Sequence, residues 1–89
     1  MKAIVSVFAK DSKGITAYVT ALLAEKEINI LDISQTILQN YFTMVMLVDL
    51  TGMKASYKEM TDVLNRTAEA IGVEIRMQRS EIFDAMHRA

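Results

Sequence analysis

"NILDISQTILQNYFTMVMLVDL", residues 29–50, holds two runs of different character separated by a short break. In the first, Asn29–Gln39, Leu31, Ile33 and Ile37 fall on one side and Asp32, Ser34 and Thr36 on the other. That two-residue period predicts a strand with one wet face, and therefore an edge strand. The second run, FTMVMLVDL at 42–50, is apolar on both faces and predicts a central strand. Only Asn40 and Tyr41 stand between them, so the two runs form an antiparallel hairpin.

Working outward, AIVSVFA at 3–9 is again apolar on both faces, with Ser6 the single polar interruption, and predicts a second central strand. Between this strand and the hairpin, Ile15, Tyr18, Val19, Leu22 and Leu23 recur at helical spacing, predicting a helix from about residue 13 to 27. Beyond the hairpin, Thr51 and Gly52 break the pattern. Tyr57, Met60, Leu64, Ala68 and Ile71 then mark a second helix, opened by a Ser56-x-x-Glu59 capping box and closed by Gly72. Val73, Ile75 and Met77 alternate with Glu74, Arg76 and Gln78, predicting a second edge strand over 73–79.

The order strand, helix, strand, strand, helix, strand is the split βαβ or ferredoxin-like arrangement, an α+β sandwich. It places strands one and three in the centre of an antiparallel sheet of order 2-3-1-4, with both helices on one face. The two-sided and one-sided runs fall where that order needs them. The 89 residues are expected to form one domain, with 80–89 as a short helical extension carrying Ile82, Phe83 and Met86 on one side.

Composition narrows the function. A net charge of −1 with scattered Lys and Arg offers no basic stripe for a phosphate backbone, so no nucleic-acid partner is expected. Phe8, Tyr41 and Phe42 lack accompanying basic residues and read as packing rather than base-stacking groups. No run approaches the roughly 20 apolar residues that span a bilayer, and no signal peptide is expected. The expected compartment is the cytoplasm. There are no cysteines, and the lone histidine, His87, sits near the C-terminus. No metal-ligand spacing occurs, so neither a metal site nor a cofactor is expected, and no catalytic residue stands out.

The stretch KDSKGITAYVTALL, residues 10–23, carries the remaining signal. Asp11 or Ser12 can cap the first helix, whose leading N–H groups near Lys13 to Thr16 favour an anion such as a carboxylate. Gly14 admits close approach of a ligand or a neighbouring chain; equally, it can ease packing of helix on strand. On the residues alone, a pocket and a plain helix cap both remain open.

The pattern DSKGITAYVTALLAEKEINILDISQ resembles the signature of the ACT domain family, through Asp11, Gly14, Ile15, Asn29 and Ile30. Lys13 stands where that family often carries proline, and this chain has no proline. The resemblance covers essentially the whole chain and is to the small stand-alone ACT proteins of bacteria. It implies a regulatory module rather than an enzyme, a homodimer binding a small metabolite such as an amino acid at its interface, and possible control of a partner protein. It implies a ligand site made from Asp11, Ser12, Lys13, Gly14, Ile15, Asn29, Ile30 and Leu31. Two readings compete. One is a ligand-free assembly domain acting through protein contacts. The other is an acylphosphatase-type hydrolase, which needs an arginine in the first loop where only Lys10 and Lys13 stand.

Overall fold

Why the apolar runs sort into two kinds is visible in a computed structural model describing residues 1–10 and 13–81. The elements are β1 (Lys2–Ala9), α1 (Ile15–Glu25), β2 (Asn29–Leu38), β3 (Tyr41–Asp49), α2 (Tyr57–Ile71) and β4 (Glu74–Arg79). The sheet runs β2-β3-β1-β4 with every neighbour antiparallel, which is the ferredoxin-like βαββαβ fold. The apolar-on-both-faces strands are central, and the alternating ones are the edges.

One face of the sheet carries the core. Ala3, Val5, Val7 and Ala9 of β1 and Phe42, Met44, Met46 and Val48 of β3 are buried beneath Ile15, Val19 and Leu23 of α1 and Met60, Leu64 and Ala68 of α2. The other face presents Ile4 and Leu47 half-covered and Val45 exposed, with Phe8 and Tyr41 stacked at 5.8 Å near one end.

The helix ends obey different rules. At α2, Ser56 accepts from the Glu59 N–H at 3.1 Å and Glu59 accepts from the Ser56 N–H at 3.2 Å, completing the expected box. These bonds, the Ser56 backbone N–H first and its hydroxyl second, hold the Glu59 carboxyl below the usual carboxylate range. At α1 the expected side-chain cap gives way to Gly14, which is the N-cap in a left-handed conformation (φ 75°) with no side-chain cap bond. A Cβ on Gly14 would meet nothing within 4 Å, so backbone torsion, not close packing, selects glycine there.

Helix α1 is also shorter than its apolar period suggests. Glu27 adopts φ 62°, and the Glu27 and Ile28 N–H groups return to Ala24 and Leu23 carbonyls at 3.0 Å each. That is a Schellman stop, with buried Ile28 as its apolar anchor. Tyr18, read as part of the apolar face, is 51% exposed.

Two corrections fall on the hairpin. Leu38 pairs with Tyr41, so the turn is Gln39–Asn40, with Gln39 at φ 55°. In β2, Ile30 pairs with Val48 but Asp32 pairs with Leu47, leaving Leu31 as the extra residue of a bulge. Ile30 thereby packs against the core beside Val48 instead of lying on the uncovered face.

Candidate functional site

Lys13 and Gly14 are exposed at the start of α1, and Ile15 turns inward to the core. The Tyr18 N–H bonds the Gly14 carbonyl at 3.1 Å as the first helical bond, so the N–H groups of Ile15, Thr16 and Ala17 precede the helical ladder. The first turn of α1 contains no acidic residue, so among the described residues of that turn none offsets the positive end of the helix dipole. Asp11 and Ser12 lie outside the described residues.

Asn29 is exposed, Ile30 half-buried and Leu31 exposed. They are not beside Lys13–Ile15. Asn29 pairs with Asp49 and Asp49 with Lys2, whereas the α1 entry follows Ala9. The two halves of the expected site stand at opposite ends of the sheet, roughly 23 Å apart by the rise of β1. Within one protomer they do not meet.

Two side chains that the sequence reading passed over stand with these halves. The Thr16 hydroxyl donates to Gln35 Oε1 at 3.2 Å, fastening the first turn of α1 to the middle of β2. Gln35 pairs with Met44, so it lies on the helix face of β2 between Ile33 and Ile37. Its signal in the sequence was a polar residue interrupting an apolar face. Opposite Asn29, Asp49 is held below the usual carboxylate range, first by the Thr51 hydroxyl and then by the Thr51 N–H at 2.9 Å. Its Oδ1 also lies 3.8 Å from the N-terminal ammonium of Met1.

The backbone of the edges follows from one bond. The Leu50 N–H donates to the Met1 carbonyl at 2.7 Å, so Met1 and Leu50 are a hydrogen-bonded pair of the β1–β3 ladder. Such pairs alternate along an antiparallel ladder, and carrying that alternation across the registers assigns every strand. Ile33, Gln35 and Ile37 of β2 point their N–H and C=O groups away from β3. Ile75, Met77 and Arg79 of β4 point theirs away from β1. Ile37 and Leu38 are 65% and 72% exposed, so the β2 edge is long, apolar and open.

A groove of about 600 Å³ lies elsewhere, between α2 and β4, lined by Thr61, Leu64, Asn65 and Ile75 among others. It shares no residue with the candidate site.

This fold, with a glycine-capped helix entry beside an open second strand, matches known proteins throughout its length. The sequence profile of the ACT domain matches residues 2–78, and the chain belongs to that family, as a regulatory ligand-binding module. It is 49% identical over 88 residues to a UPF0237 protein of Clostridium acetobutylicum, covering 99% of both chains. A UPF0237 protein of Methanocaldococcus jannaschii is 42% identical over 87 residues, covering 98% of this chain and 97% of that one. Among solved structures, an ACT domain protein from Streptococcus pneumoniae superposes with a TM-score of 0.83 at 39% identity, covering 98% of each chain. A formyltetrahydrofolate deformylase from Pseudomonas syringae shares the fold (TM-score 0.81, 19% identity) across 90% of this chain but 28% of its own.

Proposed function

We propose that this protein is a homodimeric sensor that binds an amino acid between its subunits and passes the bound state to a partner protein. One observation carries the reading: Lys13–Ile15 and Asn29–Leu31 occupy opposite ends of one sheet. An antiparallel second copy added at the β2 edge brings the Asn29 end of one chain to the α1 entry of the other. A site spanning both segments is therefore a dimer site.

One register uses every outward-facing residue of the edge. Only residues with outward backbone groups can pair across it, and centring the two-fold axis on Gln35 pairs all of them. Ile33 of one protomer then faces Ile37 of the other, and Gln35 faces its own copy. Apolar pairs of this kind stabilise an antiparallel contact by roughly 0.2–1 kcal/mol each. Pairing also protects an exposed strand edge.

In the joint site the ligand carboxylate meets the N–H groups of Ile15 and Thr16, where the dipole favours an anion. Its ammonium meets an oxygen acceptor from the other chain, the Asn29 side-chain carbonyl. Asp11 and Ser12 belong to the same proposed set, together with Lys13 and Gly14. No group in it is assigned a catalytic role.

A thermal-shift screen of the twenty amino acids tests the reading, since a ligand that binds only the folded dimer raises its melting temperature. One that raises Tm in a concentration-dependent way supports it. If none does so at millimolar concentration, the ligand-free assembly reading takes its place.

A further inference from the structure

Among the described residues, pairing through β2 leaves each protomer with a second uncovered edge, β4. A chain with two self-pairing edges does not close: each added copy offers a fresh edge, and the sheet extends without limit. On β4, Ile75, Met77 and Arg79 point their backbone groups outward, yet the middle acceptor is occupied. The Tyr57 hydroxyl donates to the Met77 carbonyl at 3.0 Å. Tyr57 is the first residue of α2, half-buried against the core and positioned by the Ser56–Glu59 box. The Arg79 guanidinium lies over its ring, 5.1 Å from the centroid.

We propose that Tyr57, anchored by α2 and covered by Arg79, closes the β4 edge to a further copy and so stops assembly at the dimer. The proposal rests on the β2 pairing proposed above. The β2 edge has a weaker counterpart, in which the Ile33 N–H is held by Asp32 Oδ1 of the adjacent residue at 2.9 Å. That carboxylate is exposed and can turn to water without loss of packing, whereas moving Tyr57 uncovers core. The difference makes one edge available and the other closed. The residues agree: β4 has six residues and carries Glu74, Arg76 and Arg79, while β2 has ten with one charge, Asp32.

The test is sedimentation velocity of the full chain, of Tyr57→Phe, which removes the hydroxyl, and of Tyr57→Ala, which also removes the bulk, over a concentration series. Circular dichroism melts identify the folded variants. The expected result is a mass above that of wild type that grows with concentration, more for Tyr57→Ala than for Tyr57→Phe. Wild-type mass at every concentration in a variant with a cooperative melt overturns the proposal; if Tyr57→Ala does not fold, Tyr57→Phe decides. The wild-type mass reports separately on the dimer: a monomeric wild type overturns the β2 reading and with it the stop at the dimer, while larger variants would still assign Tyr57 the closing of β4.

Discussion

The Thr16 hydroxyl bonds Gln35 Oε1 at 3.2 Å, which ties the entry of α1 to the centre of the edge strand β2. Any event at the helix entry is therefore one hydrogen bond from the proposed two-fold axis. Gln35→Lys puts two like charges opposite each other there, which is destabilising for a cross-strand pair. Dimer affinity should fall about tenfold or more, a loss of roughly 1.4 kcal/mol or greater. Sedimentation equilibrium measures it; unchanged affinity would move the axis away from Gln35.

In the proposed dimer Asp32 competes with association, because its carboxylate holds the outward Ile33 N–H that the pairing uses. Asp32→Ala frees that donor. A net hydrogen bond is worth roughly 0.5–1.5 kcal/mol and the two-fold axis frees two of them, so the dimer should tighten by about five- to a hundredfold. Weaker dimerisation of Asp32→Ala would show that the carboxylate supports the interface.

Gly14→Ala tests why glycine caps α1. The added Cβ meets no atom within 4 Å, so the whole cost is the left-handed backbone. That is about 1–2 kcal/mol, a Tm drop on the order of 4–8 °C per kcal/mol in a domain of this size. Gly14→Asn, which tolerates this region better, should lose less. Equal stability of all three proteins would refute the torsional explanation.

The capping box sets an acid limit. Folding holds the Glu59 carboxyl below its ordinary value, so its contribution is full above the unfolded pKa and is lost as pH falls through the folded one. Urea midpoints measured from pH 7 down to about pH 3 should fall more steeply for wild type than for Glu59→Gln. Parallel curves would remove Glu59 from the acid response.

How far the residues disclosed this arrangement depends on how local each cause is. The central strands were legible because Val5, Val7, Met44 and Met46 alternate with residues that are themselves apolar or small. The α2 cap was legible because Ser56 and Glu59 need only each other. The bulge was not: Ile30 and Leu31 are adjacent apolar residues, and pairing with β3 decides which one turns inward. Nor was the α1 cap: Asp11 and Ser12 each offer a capping oxygen in the sequence, and the left-handed torsion that makes Gly14 the N-cap belongs to the folded chain. The Lys13–Ile15 half of the proposed site is a local motif. That Asn29 lies at the far end of the sheet is a property of topology, and that Gln35 touches Thr16 is one of packing.

The division of the site between chains is the central claim, and complementation tests it most directly. Gly14→Asp sets a carboxylate at the anion end of the site, in a residue type that tolerates a left-handed backbone. Asn29→Ala removes the acceptor at the other end. Each homodimer should bind the amino acid selected by the thermal screen weakly or not at all. After the two variants exchange subunits, a mixed dimer carries one intact site and one doubly altered site. Calorimetric titration of an equal mixture should then recover wild-type affinity at about a quarter of the wild-type number of sites, as isologous symmetry requires. A mixture that binds no better than its separate components would contradict the account.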